Sequence, residues 1–141
     1  MQSFSWMLAT LVGAAALLAG CGGEQRLVCV PVQGQMLYNE QPLAEAMVVF
    51  HPLGDQLKTA PKPQAQTDSE GKFQLTTLGL NDGAPWGEYA ITVELRELIQ
   101  VGEEATRNGR NLLPAQYAKP ESTPLRYTVV RGNNEIPPLR L

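Results

Sequence analysis

The sequence has few of the residues that carry most catalytic chemistry. Its 141 residues include one histidine, His51, and two cysteines, and only 6% of them are aromatic. Zinc sites usually combine several histidine or cysteine ligands, and a serine–histidine–aspartate triad needs a histidine close to a serine. Because His51 stands beside Pro52 at the end of an apolar run, we expect it to be a surface or strand-terminal residue. The sequence therefore predicts no enzyme, no catalytic residue, no metal site and no cofactor.

Clustered positive charge is also missing. The formal net charge is −3, and every charged residue lies at or after Glu24. Proteins that bind nucleic acid present a basic patch or stripe, and anionic membrane surfaces attract polybasic segments. The sequence has neither feature, which argues against nucleic acid as a partner and means that any membrane attachment has to come from another source.

Long stretches free of glycine and proline are scarce. After residue 21 the longest such stretch runs from Glu88 to Val101. Since glycine and proline are both unfavourable inside helices, short strands joined by turns fit this spacing better than helices do. The residues that follow residue 20 are numerous enough to bury one hydrophobic core. We therefore predict a single all-β domain.

What is present at the N-terminus is an apolar run of signal-peptide length. Residues 7–19 form this run, which is too short to span a bilayer, and it leads into Leu18-Ala19-Gly20-Cys21. These four residues resemble the lipobox of bacterial lipoproteins. The resemblance implies a signal peptide over residues 1–20, cleavage between Gly20 and Cys21, and acylation of Cys21. Several acyl chains on one residue anchor a protein stably to a membrane.

The start of the chain departs from that pattern, because residues 1–6 contain no lysine or arginine. An ordinary cleaved signal peptide or a short membrane anchor is the alternative. With acylation, residues 21–29 become a short tether, and the domain faces the periplasm or the cell exterior. Gly22 resembles the default for sorting to the outer membrane, although inner or outer membrane stays open. We expect Cys29 to be a small buried hydrophobic residue; an intermolecular disulfide or a metal ligand is the alternative.

Alternating apolar residues predict the strands. Val32 to Tyr38 alternates, and Glu88 to Leu95 alternates over eight residues. Ala46 to Phe50 is apolar at every position, as in a central strand buried on both faces. Leu125 to Val130 alternates again, and a last strand runs from Ile136 to Leu141 with Pro137-Pro138 marking an edge or a bulge. About seven such strands predict an antiparallel β-sandwich over residues 30–141.

Two connections stand out. Residues 65–67 and 73–78 flank Asp68-Ser69-Glu70-Gly71, which is a good hairpin signal because aspartate bonds the loop backbone and glycine supplies a positive φ. Residues 96–124 are polar and irregular, with one helical turn expected near Leu98. A connection this long is usually functional or partly structured.

Three stretches combine turn residues and alternating apolar residues at distinctive spacing: Val32-x-Gly34-x-x-x-Tyr38-Asn39-x-x-Pro42-Leu43-x-x-Ala46-x-Val48-x-Phe50, Thr67-Asp68-x-x-Gly71-x-Phe73-x-Leu75 and Gly87-x-Tyr89-x-Ile91-x-Val93. They resemble the carboxypeptidase regulatory-like family, a Greek-key sandwich of transthyretin-like (prealbumin-like) topology. That resemblance implies no enzyme activity, and members of the family are generally interpreted as folding, adhesion or carbohydrate-contacting modules. The C-terminal part contains Leu113-Pro114-Ala115-Gln116-Tyr117, Ser122-Thr123-Pro124-Leu125 and Gly132-x-Asn134. It resembles a family of small bacterial lipoproteins that carry this domain.

Few side chains are candidates for ligand contact. Asp68, Glu70 and Asp82 are carboxylates in turns, and we expect them to stabilise the turns rather than to supply the 6–8 oxygen ligands of calcium. Trp86 is the only tryptophan after the signal peptide, and with Asp82 it could form a small platform for a sugar. The interpretation that we favour is that Trp86 caps the end of the core, while alternation points Tyr89 into that core.

These observations predict a non-enzymatic lipoprotein of the bacterial envelope. Its β-sandwich is expected to serve as a structural or protein-interaction module, and carbohydrate binding through Trp86 is the alternative. The expected partners are a membrane, reached through Cys21, and an unidentified envelope protein or polysaccharide. An interaction module should show an apolar patch or an open sheet edge, whereas a sugar-binding module should show an exposed Trp86 flanked by polar side chains.

Overall fold

The computed structural model describes residues 26–141. The signal peptide, its cleavage after Gly20 and the acylation of Cys21 therefore lie outside the described residues, as does most of the tether. Among the described residues, no helix is long and apolar enough to cross a membrane. The only helical elements in this part of the chain are two short 3-10 turns, Asp55–Leu57 and Ala115–Ala118. The prediction of an all-β domain is confirmed for these residues.

One main sheet is built around β1 (Val32–Tyr38), the first predicted strand. Two strands pair with β1 antiparallel, and two pair with it in parallel. They are β2 (Gln41–Pro42), β5 (Lys72–Gln74), β10 (Asn134–Glu135) and β11 (Leu139–Arg140). The prediction of a purely antiparallel sandwich is therefore wrong. β10 runs beside the start of β1, with Val32 opposite Asn134, and in the same direction.

The C-terminal strand is interrupted at its prolines and begins earlier than predicted. β10 and β11 each contain two residues, and Pro137 and Pro138 lie between them. Proline has no N–H with which to continue a ladder. Of the strand predicted over residues 136–141, only β11 forms. The described residues contain eleven strands where the sequence predicted about seven, because β2 and the two short strands within residues 99–106 were not predicted and β10 is a separate short strand.

The second main sheet has the order β4-β3-β6-β9 and is antiparallel throughout. Its strands are β3 (Met47–Pro52), β4 (Gln64–Gln66), β6 (Gly87–Glu94) and β9 (Arg126–Val129). β6 was predicted correctly and is the longest strand. The prediction that β3 is buried on both faces is wrong, because Val48 and Phe50 are buried whereas Met47 is 44% exposed.

The core lies between the two sheets. Tyr89, Ile91 and Val93 of β6 are almost fully buried, which confirms the inward direction predicted for Tyr89. The ring of Phe50 stands between those of Tyr89 and Phe73, at centroid distances of 5.7 and 6.4 Å. Tilted rings at such distances add to the stabilisation gained by burial. This aromatic cluster joins the two sheets.

The predicted hairpin at residues 65–78 forms its turn but only a small part of its pairing, an antiparallel bridge in which Gln64 and Thr76 exchange backbone hydrogen bonds of 3.0 and 2.9 Å. The Asp68 carboxylate accepts hydrogen bonds from the backbone N–H groups of Glu70 and Lys72, both at 2.9 Å. Gly71 has φ +74°, and a Cβ there would lie 2.4 Å from the Met36 carbonyl oxygen. However, β4 pairs with β3 and β5 pairs with β1. The turn therefore connects the two sheets.

Residues 96–124 contain more structure than the sequence indicated. A two-stranded hairpin is formed by β7 (Ile99–Val101) and β8 (Glu104–Thr106). The helical turn expected near Leu98 is wrong; the 3-10 turn of this segment lies at Ala115–Ala118. Beyond the hairpin the chain packs along β6, where the Thr123 hydroxyl donates to the Ile91 carbonyl at 2.7 Å.

Candidate functional site

The two ends of β6 lead to the two most distinctive surfaces of the domain. Trp86 directly precedes β6, and the β7–β8 hairpin follows it. A strand of eight residues is about 23 Å long. We call the two surfaces the Trp86 end and the hairpin end.

At the Trp86 end, Asp82 organises the turn formed by residues 77–82. Its carboxylate accepts hydrogen bonds from the N–H groups of Thr77 at 2.8 Å, Leu78 at 3.0 Å and Gly79 at 2.9 Å. Burial acts to raise the pKa of Asp82, but these hydrogen bonds and one from the Cys29 thiol outweigh it and hold the pKa below its ordinary value. The carboxylate is thus engaged within the turn, as expected for turn chemistry.

The segment that enters the domain is held against this turn. Val30 and Ala84 exchange backbone hydrogen bonds of 2.9 and 3.0 Å. A Cβ at position 83 would lie 1.7 Å from the Val30 carbonyl oxygen, so that only glycine fits there. Residues 82–84 therefore hold the incoming chain in one place.

Cys29 contributes to the same contact. Its side chain is half-buried and not fully buried as predicted, and its thiol faces the side chains of Asp82 and Thr77. Burial, followed by the proximity of Asp82, raises the pKa of the Cys29 thiol. A raised pKa lowers the thiolate fraction and with it the reactivity. Within residues 26–141 this cysteine forms no disulfide.

Trp86 is 41% exposed and does not close off the core. The guanidinium of Arg131 lies 4.7 Å from the centre of the indole ring, a cation–π contact. Next to Trp86, the Pro85 carbonyl accepts a hydrogen bond of 2.7 Å from the buried Tyr89 hydroxyl. Burial, with a smaller contribution from Cys29, raises the pKa of Tyr89 to about 12.

A groove of about 930 Å³ runs along the Trp86 end. Its lining includes Val28, Leu57, Leu78 and Trp86, but not Asp82. The structure thus separates the two residues proposed as a joint platform, since Asp82 faces its own turn. Ligand contact at either residue stays a prediction.

The hairpin end is held at its base by a few polar contacts. The side-chain oxygen of Asn111 accepts hydrogen bonds from the N–H groups of Leu95 at 3.1 Å and Leu113 at 3.2 Å. Arg107 forms an ion pair with Glu45, which precedes β3. Beyond this base all three residues of β7 are exposed, including Val101 at 59%.

A second groove, of about 900 Å³, crosses the sheet built around β1. Side-chain amides line much of it, and they come from β1, β4, β5 and the turn of Asp82. We call it the amide groove; the amides belong to Gln33, Gln35, Gln66, Gln74 and Asn81. Sequence reasoning missed this groove because its amides come from four separate segments, and the only local signal is a glutamine at alternate positions of β1.

The remaining candidates take structural positions. The Nε2 atom of His51 lies 2.8 Å from the Thr92 hydroxyl, and burial, helped by Lys62 and opposed by Glu121, lowers the pKa of His51. Lys72 starts β5, where its exposed ammonium pairs with Glu70 at 3.1 Å. In the part of the chain that the structure describes, no group of three acidic, histidine or cysteine residues could hold a metal ion.

Comparison with known proteins assigns no family. No protein-family model and no curated protein matches the chain. A 9R-lipoxygenase from Cyanothece PCC8801 is similar over 81% of this chain and 16% of its own, with 13% identity and a TM-score of 0.46. A Pseudomonas aeruginosa protein proposed to bind carbohydrate is similar over 83% of this chain and 91% of its own, with 15% identity and a TM-score of 0.43. These are distant likenesses of a small β-sandwich-like domain.

Proposed function

We propose that this chain is a non-enzymatic lipoprotein of the bacterial envelope that binds a protein partner through its β7–β8 hairpin. The observation that carries the proposal is the position of the hairpin. It lies at one end of β6, whereas the chain that leads back to Cys21 is held at the other end. A domain tethered by a lipid at Cys21 would therefore present the hairpin away from its membrane.

The chemistry of the hairpin suits a protein partner. Leu98 and Val101 are 55% and 59% exposed, and such apolar side chains gain free energy when a partner covers them. The hairpin carries two exposed acidic residues at its turn, Glu103 and Glu104, and Arg107 follows β8. Within the described residues β7 and β8 pair only with each other, so their outer edges offer backbone groups for strand addition.

A photo-crosslinking amino acid at Leu98 tests this proposal in cells. We expect one abundant adduct with an envelope protein, identified by mass spectrometry. The matched control places the same amino acid at Gln116, which is also exposed but lies in the 3-10 turn outside the hairpin. Equal adducts at both positions, or none at Leu98, would contradict the proposal.

The lipid anchor has its own test. Cleavage before Cys21 and acylation of its sulfur predict that the protein sediments with membranes and that Cys21→Ser releases it. The periplasmic or exterior location follows from the same processing, and Gly22 favours the outer membrane. A Cys21→Ser protein that still fractionates entirely with membranes would argue for an uncleaved apolar anchor.

Carbohydrate binding is the second candidate, and the amide groove favours it. Side-chain amides both donate and accept hydrogen bonds, which suits the hydroxyl groups of a sugar. Retention on polysaccharide or cell-wall fractions would be lost in Gln66→Ala and Gln74→Ala if the groove binds. Loss in Trp86→Ala alone would instead favour stacking on the indole ring.

A further inference from the structure

The Trp86 end combines exposed apolar side chains with the point at which the chain enters the fold. We propose that this end rests in the interface of the bilayer that holds the acyl chains of Cys21. The inference rests on the proposed lipid anchor, and it assigns a lipid surface as the partner of the Trp86 end.

The length of chain before the described residues limits where this end can be. Arg26 is five residues after Cys21, and five residues span at most about 18 Å when fully extended. Arg26 and Val28 line the same groove as Trp86. Both the N–H and the carbonyl of Val30 are hydrogen-bonded to Ala84. The chain before Val30 therefore leaves the fold beside Trp86. An acylated Cys21 would therefore hold the Trp86 end within reach of its bilayer.

The exposed side chains at this end suit a membrane interface. Val28, Leu78 and Trp86 line one groove, and we call these three residues the Trp86 patch. Leu78 is 60% exposed and Val28 is 53% exposed. Tryptophan prefers the headgroup region of a bilayer because its ring is apolar and its N–H is polar. Leucine and valine gain free energy when they enter the acyl region.

The charges around the Trp86 patch are compatible with phospholipid headgroups. Arg131 lies over the indole ring, and Arg26 lines the groove; both can donate hydrogen bonds to phosphate. Two acidic residues, Asp55 and Glu88, line the same groove. Asp55 is paired with Lys58 at 3.4 Å. The end therefore carries no excess of negative charge that would repel a membrane.

The turn of Asp82 presents Leu78 at a fixed position. Three backbone N–H groups bond the Asp82 carboxylate, including those of Leu78 and Gly79. This arrangement holds Leu78 outside the core, so that little further ordering is needed when it contacts lipid. An exposed leucine on a rigid turn in one groove with Val28 and Trp86 differs from the scattered single apolar residues that are normal on protein surfaces.

Tryptophan fluorescence provides a direct test, because cleavage before Cys21 removes Trp6 and leaves Trp86 as the only tryptophan. The processed lipoprotein is reconstituted into phosphatidylcholine vesicles whose acyl chains carry bromine near the glycerol. We expect the Trp86 emission to shift to shorter wavelength and to fall about twofold relative to unbrominated vesicles, as for an indole at the headgroup level. Leu78→Glu should restore most of the lost emission.

A variant with Trp86→Phe and Val101→Trp serves as the matched control, since it moves the tryptophan to the hairpin end. Its emission should be the same in brominated and unbrominated vesicles.

Flotation of each sample with its vesicles distinguishes a failure of the interfacial placement from a failure of the lipid anchor. Flotation without quenching of Trp86 would overturn the interfacial placement and leave the lipid anchor intact. Failure to float, with an unmodified Cys21 by mass spectrometry, would overturn the anchor and the placement with it. A shift that depends on protein concentration and not on bromine would assign the patch to a second copy.

Discussion

The Trp86 end and the hairpin end differ in how tightly the chain is held. At the Trp86 end a Cβ added to Gly83 would overlap the Val30 carbonyl oxygen, and the Asp82 carboxylate bonds three N–H groups. At the hairpin end a Cβ added to Gly102 would meet nothing within 4 Å. The Trp86 end is packed closely against the incoming chain, whereas the hairpin end projects from the domain.

This difference indicates different roles for the two ends. A close-packed connection fixes the orientation of the domain relative to its tether, because the chain and the domain can pack together in few other ways. A hairpin with exposed strands and few contacts opens locally at low free energy and can adapt to a partner. The sandwich between them keeps the two surfaces about one strand length apart.

Substitution of one glycine at each end should give the largest difference in stability between the two ends. We expect Gly83→Ala to reduce the free energy of unfolding by about 3–5 kcal/mol, because overpacking is added to the strain of a positive φ. Gly102→Ala, also at a positive φ, should cost only about 1 kcal/mol. Urea unfolding monitored by circular dichroism measures both. Equal losses in the two variants would show that the Trp86 end is not held as tightly as described.

Asp82→Asn should have the next largest effect. The amide cannot accept all three hydrogen bonds and turns a donor toward an N–H, so we expect a loss of about 1–3 kcal/mol. Asp55→Asn is the control, since its exposed carboxylate forms only a surface ion pair and its loss should cost less than about 1 kcal/mol.

Asp82→Asn should also change how the free energy of unfolding depends on pH. The pKa of Asp82 is lowered on folding, so its contribution to stability is present above its unfolded pKa and is lost as the pH falls through the folded pKa. The natural chain should therefore lose stability as the pH falls below about 4, and Asp82→Asn should lose less. Parallel acid unfolding curves for the two proteins would argue against an ionised, hydrogen-bonded Asp82.

At the hairpin end, Asn111→Ala should cost about 1 kcal/mol through the two N–H groups that lose their acceptor. Its main effect should be local. The Glu97 amide, which donates to the Arg110 carbonyl at 2.9 Å, is expected to exchange its hydrogen faster, whereas the Val30 amide is not. Asn108→Ala, at an exposed position just after β8, is the control. Equal acceleration at both amides would mean that the two ends open together.

The core strands could be predicted because burial leaves a pattern in the sequence. β1 and β6 carry large apolar side chains at alternate positions, and these face the core. Ala90 and Thr92, between the apolar positions of β6, are also buried, on its opposite face. The turn at Asp68 combines an aspartate with a glycine at fixed spacing. The hairpin of residues 99–106 left no such pattern because neither face of β7 is buried. Its remaining signal was Gly102, with φ +65° between two short segments.

Pairing between distant segments could not be derived in the same way. The parallel register of β10 with Val32 and the separation of β4 and β5 into different sheets depend on contacts between residues far apart in sequence. The surface sites could not be predicted for the same reason. Trp86 was singled out for its rarity, but its contact with Arg131 joins segments 45 residues apart. The amides that line the amide groove come from four segments.

Val101→Glu should give the smallest change in stability. It tests whether the hairpin end, and not the rest of the domain, binds the partner. Val101 is exposed and packs on nothing in the core, so we expect the free energy of unfolding to change by less than about 0.5 kcal/mol. A carboxylate at the centre of the proposed contact would have to be desolvated on binding, and the adduct at Leu98 should therefore disappear. Thr128→Glu, on the exposed face of β9, introduces the same charge outside the hairpin and should leave the adduct unchanged. An adduct that survives Val101→Glu but is lost in Thr128→Glu would move the interaction surface from the hairpin to the edge of the second sheet.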